Sequence, residues 1–412
     1  MQESASSKWF NRTVFYWSMF DFANSSFATI VVAFVYAVYF KKVVAMDQPV
    51  ADFYWSSAIN ISMIIVAVLS PVLGAAADFY SSKKKYLAFF TGLCIIATAL
   101  LYFVGAGMIT EGMLLFIAAN IGFQAGLGFY DAFLKEITNP ENYNKVSSAG
   151  YAIGYLGSLA ALGAVFILQD APRLTFVVCS ALFLVFSLPI FLFVKEKKTF
   201  QTLTYEKHFF DFIKIGMGRV SDTMKHIKQY TNLRKFLLSY FLYIDGVNTI
   251  IFFSAIYAQT TLNFTILELV IFFVIVQITA LAGSYLFGYL ADKFGTKKIL
   301  SMTILGWVIL TVSVFLSQGR TSFMIIGAFA GFFLGSSQAL SRSFMSTLIT
   351  DDKKTEFFGF YSLFEKTSTI LGPFTFGLVS WLTGDQRIAV LSISVFLLTG
   401  YLLLRKVEEA SS

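Results

Sequence analysis

Two short polar stretches interrupt otherwise apolar sequence: Asp21-Phe22-Ala23-Asn24-Ser25 and Asp245-Gly246-Val247-Asn248-Thr249. The first lies in a nearly unbroken apolar run from Phe10 to Phe40, so Asp21 falls near the middle of a membrane crossing. A carboxylate at that depth costs roughly 2.5–3.5 kcal/mol on insertion scales, and such groups by default mark a solute or ion pathway. Asn24 and Ser25 stand at i+3 and i+4, on the helical face of Asp21. Asn248 stands at the same offset from Asp245. One copy opens each half of the chain, which suggests a polar site built twice about a pseudo-symmetry axis.

Other side chains could join that site. Asn120, Gln124 and Asp131 fall at i, i+4 and i+11 of one crossing, within a narrow angular sector. Later crossings offer Arg342 beside Gln338 and Ser341, and Glu365 and Lys366 ahead of Ser368 and Thr369. A zwitterionic solute needs a carboxylate near its amine and a cation near its own carboxylate. Asp21 or Asp245 could supply the first and Lys366 or Arg342 the second, with Asn24, Asn248, Asn120 and Gln124 as neutral partners. Removal from water disfavours a charged carboxylate, so Asp21, Asp245 or Glu365 could also carry a coupling proton. Structural alternatives stand beside each role. Asp131 and Arg342 are close to helix ends and read also as gating or packing ion pairs. The two aspartates could be buried groups hydrogen-bonded to Asn24, to Asn248 or to another helix.

The elements that must position these residues are membrane helices. Only 13% of the 412 residues are charged, and 57% are hydrophobic, against about 25% charged in a soluble chain. The apolar residues gather into twelve crossings: 13–40, 53–77, 86–107, 112–133, 147–169 and 174–194, then 235–258, 267–290, 298–318, 321–343, 357–381 and 386–405. The expected fold is an all-α membrane protein of twelve transmembrane helices in two pseudo-symmetric six-helix bundles. The bundles span 1–194 and 235–412, joined by an amphipathic linker over 195–234. In that linker Phe209, Phe212, Ile213, Met217, Val220, Met224 and Ile227 form an apolar stripe, with lysines placed to meet lipid headgroups.

With the N-terminus inside, only Lys41, Lys42, Arg173, Arg320 and Arg387 of 31 basic residues fall in outer loops, which places both termini in the cytoplasm. The net charge of +7 then reports topology and contact with the lipid bilayer, not nucleic acid. Cys94 and Cys179 lie in apolar segments and His208 and His226 in the linker, so no metal site is expected and no cofactor is implied. No cleavable leader is evident. Hydrolase and phosphate-binding motifs are absent, which argues against an enzyme.

The loops after the second and eighth crossings share one pattern: Gly74-x-x-x-Asp78 followed by Lys83-Lys84-Lys85, and Gly288-x-x-x-Asp292 followed by Lys297-Lys298. An aspartate leaving the membrane can face the positive N-terminal end of a neighbouring helix, so Asp78 and Asp292 are candidate interbundle latches. The pattern resembles the signature loop of the major facilitator superfamily, although Ser81 stands where the second copy has Gly295. Further blocks are similar to the vacuole-effluxer (autophagy-related protein 22-like) branch. They are Phe20-Asp21-Phe22-Ala23-Asn24-Ser25-Ser26, Phe129-Tyr130-Asp131, Gly154-Tyr155-Leu156-Gly157, Tyr243-Ile244-Asp245-Gly246, Gln338-Ala339-Leu340-Ser341-Arg342 and Phe357-Phe358-Gly359-Phe360-Tyr361. Phe22 replaces the branch's usual Trp and Asp131 its common Asn, which leaves the substrate open.

That resemblance implies a secondary transporter that moves an amino acid or similar zwitterion by alternating access, with protons as a candidate coupling ion. It implies a monomer in the inner membrane of a bacterium. A sugar, drug-like or other organic solute is the alternative substrate, and a non-transporting receptor the alternative role.

Overall fold

The computed structural model describes residues 10–80, 83–138, 143–196, 230–317, 319–348 and 367–408, with single positions at 218, 221 and 364. Most of the linker, its apolar stripe included, lies outside these residues, as do Glu365 and Lys366. No strand occurs among the described residues. Eleven of their helices are long and apolar enough to cross a membrane, and a shorter apolar helix, Leu371–Thr383, joins them. We number them α1 (Arg12–Val44), α2 (Ala51–Tyr80), α3 (Lys83–Leu100), α4 (Ile109–Ile137), α5 (Tyr143–Ile167), α6 (Pro172–Phe193), α7 (Thr231–Thr260), α8 (Ile266–Phe294), α9 (Thr296–Leu316), α10 (Arg320–Thr347), α11 (Leu371–Thr383) and α12 (Gln386–Arg405).

Local chemistry sets the ends. Asn11 caps α1 by accepting the Val14 N–H at 3.0 Å. Thr265 and Glu268 form a reciprocal capping box on α8. Gly295, at φ +94°, turns the chain between α8 and α9, a conformation that a side chain at this position would strain. The corresponding Ser81 lies outside the described residues.

Two crossings depart from the continuous rods expected of them. α1 is α-helical over Arg12–Phe27 and then passes through π-helical turns at Ala28–Ala33 and Phe40–Val44. Between the two, Phe34 adopts φ −131°, ψ −89°. The eleventh crossing, read as unbroken over 357–381, leaves helical geometry at 368–370 and restarts as α11. Pro373 explains the restart: it has no N–H to bond back to Thr369, and a proline is tolerated in a helix's first turn.

The chain packs as two compact units. The first comprises Met1–Val32, Leu69–Phe103 and Ala118–Gly216. Its centre is α1 against α5 and α6, closed by rings such as Phe20 on Phe183 and Phe27 on Phe123. The approach of α5 is close because glycines line it. A Cβ on Gly157 would overlap the Phe22 carbonyl, and one on Gly154 would come within 2.7 Å of Ser25 Oγ. The second unit comprises Ala33–Val68, Val104–Ile117 and Met217–Ser412. There α10 lies tightly on α8 through Gly331 and Gly335, where a Cβ would overlap Thr279 Oγ1 and the Ala280 carbonyl. In this unit the far ends of α1, α2 and α4 form an aromatic knot. Tyr36 donates to the Gly112 carbonyl and Tyr39 to the Val104 carbonyl, both at 2.8 Å, and Trp55 rests on Phe116.

Candidate functional site

Asp21 lies on α1 with its carboxylate held from two sides. The Tyr130 hydroxyl of α4 donates to Oδ2 at 2.6 Å. Asn24 Nδ2, one turn along, donates to Oδ1 at 3.4 Å, a long bond. Tyr130 is itself fixed: its ring stacks on Trp17 at 4.5 Å and on Phe20 at 4.7 Å, and its carbonyl accepts the Trp17 indole N–H. The third wall is Gly150 of α5, where a Cβ would overlap Asp21 Oδ2. Backbone rather than a side chain therefore bounds that flank. Asp21 is only partly buried, unlike Tyr130 and Trp17 around it.

Asp245 has the same spelling around it and a different setting. It has no exposed surface. Its Oδ2 accepts the backbone N–H of Gly372 at 2.7 Å, in the first turn of α11. Asn248 donates to Thr369 Oγ1 at 3.1 Å, just ahead of that turn. Both polar residues of this copy thus grip the break in the eleventh crossing. A carboxylate at a helix N-terminus meets unsatisfied N–H groups and the positive end of the helix dipole. Asp245 Oδ1 has no hydrogen-bond partner among the described residues. The hydrogen bond of Asp245 runs to another helix rather than to Asn248.

The remaining expected residues are more dispersed. Asn120 is buried and Gln124 half-buried on α4, and the hydrogen bonds to Asp21 come from Tyr130 and Asn24 instead. Asp131 and Arg342 are exposed, on α4 and α10. The backbones of Asp78 and Asp292 lie within α2 and α8, and their side chains fall outside the described set.

Residues not singled out from sequence make a dense polar cluster among the described residues. Asp52, with no exposed surface, pairs with buried Lys41 at 2.7 Å. Its other oxygen accepts from Ser380 Oγ of α11 and from Gln386 Nε2 of α12 at 2.6 Å. Thr260 and Thr261 donate to Gln386 Oε1, each at 2.7 Å. The cluster joins the far ends of α1 and α2 to three helices of the second half. The one sequence signal is the acidic residue in the first turn of α2, which alone reads as ordinary dipole compensation. Tyr130 was missed in a similar way, standing next to the charged Asp131 that drew attention.

Eleven long apolar helices, a shorter twelfth and glycine-lined helix contacts among the described residues make a fold of the major facilitator type. Solved structures agree. The chain is 14% identical to the nucleoside transporter NupG with a TM-score of 0.72, covering 96% of this chain and 100% of that one. It is 14% identical to the inward-open xylose transporter XylE from E. coli with a TM-score of 0.69, covering 97% and 96%. The chain belongs to the vacuole effluxer Atg22-like family, whose profile matches residues 53–412. It is 31% identical to the uncharacterized MFS-type transporter YxiO of Bacillus subtilis (strain 168), across 96% of this chain and 95% of the relative. The protein is a multi-pass membrane transporter and not an enzyme.

Proposed function

We propose that the protein moves a small polar solute bearing an amino group, an amino acid or similar zwitterion, by alternating access of its two six-helix halves, coupled to protons. The observation that carries this reading is the state of Asp21: a half-buried residue deep in a crossing, whose carboxylate has two side-chain hydrogen bonds and a glycine flank. Such a group can receive an ammonium, or exchange a proton, by giving up side-chain hydrogen bonds alone, with no backbone N–H of a helix start left unpaired. Asp245 lacks that freedom, so the reading gives the paired acids unequal roles, with recognition or proton exchange at Asp21 and helix positioning at Asp245. Lys366 and Arg342 are the proposed cations for the solute's carboxylate. Asp78, Asp131 and Asp292 are proposed at the gates. The positive-inside bias supports cytoplasmic termini in a bacterial inner membrane.

One observation favours a second solute class. The Trp17–Tyr130 stack stands directly against Asp21, and aromatic faces beside an acid also suit a sugar or nucleoside. Proteoliposome uptake separates the two, using labelled amino acids, pentoses and nucleosides with and without a pH gradient. Amino-acid uptake that rises with the gradient, falls to background in Asp21→Asn and falls several-fold in Tyr130→Phe is the expected result. Wild-type rates in Asp21→Asn overturn the role given to Asp21, and uptake confined to sugars or nucleosides overturns the substrate class.

A further inference from the structure

At the membrane boundary nearest the C-terminal end of α12, a groove of ≈ 520 Å³ opens between α9 and α12. Three cations line it: Lys297 and Lys298 in the first turn of α9, and Arg405 in the last turn of α12. The position of the lysines is electrostatically unfavourable. A helix's first turn carries the positive end of its dipole and unpaired N–H groups, and it favours acids. The first turn of α9 holds no acid. Among the described residues no carboxylate forms an ion pair with any of the three. Lys298 instead lies 5.9 Å over the Phe294 ring. Three positive side chains and a positive helix end therefore converge on one groove, with no ion pair to any of the three among the described residues.

The rest of the lining says what kind of anion fits. The hydroxyls of Ser301 and Tyr401 sit with the cations, and Met302 and Leu305 continue the wall one and two turns deeper into the apolar span. Met302 is 54% and Leu305 38% exposed. A free anion would use the charged rim and leave that apolar wall idle. An anionic phospholipid uses both, with its phosphate among the cations and an acyl chain along Met302 and Leu305. We propose that the α9–α12 groove is a binding site for an anionic phospholipid.

The test uses the purified full-length protein in detergent, titrated with phosphatidylglycerol, phosphatidylcholine or inorganic phosphate, with melting temperature and retained lipid (native mass spectrometry) as readouts. Phosphatidylglycerol should raise the melting temperature by several degrees and leave one or two bound molecules. Phosphatidylcholine and phosphate should do neither. Lys297→Gln/Lys298→Gln/Arg405→Gln should abolish both effects, and Arg405→Gln alone should weaken them if the triple variant fails to fold. Arg12→Gln/Lys85→Gln, which removes two exposed basic charges in the other compact unit, should keep them. Equal shifts with phosphatidylcholine, reproduction by phosphate alone, undiminished binding in the groove variants, or equal loss in the control pair would each overturn the site.

Discussion

Gln386 donates from Nε2 to Asp52 Oδ2 at 2.6 Å, tying the first turn of α2 to the first residue of α12. Lys41 and Asp52 come from the first half of the chain, and Ser380, Gln386, Thr260 and Thr261 from the second. In a cycle that parts these ends, the Lys41–Asp52 pair would travel together while the bonds to Ser380 and Gln386 broke. Neutral donors on a charged acceptor suit a contact that must open, because each is worth only about 1.5–3 kcal/mol.

Removing those donors should therefore favour the parted state. Ser56 is buried beside Gly377 in the same contact, and the native cysteines are both buried. With Ser56→Cys as reporter in detergent, thiol labelling should run several-fold faster once Ser380→Ala and Gln386→Ala are added. Unchanged labelling would show that the cluster does not hold the ends together.

The ion pair itself should behave oppositely to its neutral partners. Lys41→Met leaves Asp52 charged and fully enclosed, a defect of about 3–5 kcal/mol. A large drop in melting temperature is expected, with Lys41→Met/Asp52→Asn recovering much of it. A single variant as stable as wild type would mean that water reaches the carboxylate.

At Asp245 the informative comparison is Asn against Leu. Asn keeps a neutral acceptor for the Gly372 N–H, whereas Leu strands it at a cost of about 1–3 kcal/mol. Amide exchange at Gly372 should accelerate strongly in Asp245→Leu and modestly in Asp245→Asn, with melting temperatures in the same order. Equal protection in all three proteins would remove Asp245 from the support of α11.

Two glycines of α5 should respond with opposite signs. Gly157→Ala presses a methyl into the Phe22 backbone, and overpacking of about 1–3 kcal/mol exceeds the ~1 kcal/mol that Ala gains over Gly in a helix. Gly163 is exposed, with nothing within 4 Å of a new Cβ, so Gly163→Ala should hold or raise the melting temperature. A fall at Gly163 matching that at Gly157 would separate the effect from helix contact.

Length and apolarity alone made the crossings readable, since bilayer thickness leaves few other uses for such segments. The mirrored Asp-x-x-Asn spelling was readable too, but its inequality was not. What seals Asp245 is the main-chain N–H of Gly372, and a backbone donor 127 residues away leaves no mark in the pattern. The break ahead of Gly372-Pro373 carries its own signal, since Ser368, Thr369 and a Gly-Pro pair stand at it, but polar residues on a membrane helix serve equally well as site residues. Lys41 served only to orient the chain, for its burial depends on Asp52 and on helices supplied much later. Tyr130 shows the same limit: the hydroxyl that meets Asp21 sits 109 residues away.

The partnership of Asp245 and Gly372 also has a timetable. The acceptor leaves the ribosome 127 residues ahead of its donor, an interval of about 6–25 s at about 5–20 residues per second. Through that interval α7 carries an acid into the bilayer with no partner yet made. Its release sideways into lipid should therefore lag, with the helix kept beside the watery insertion channel until the start of α11 emerges.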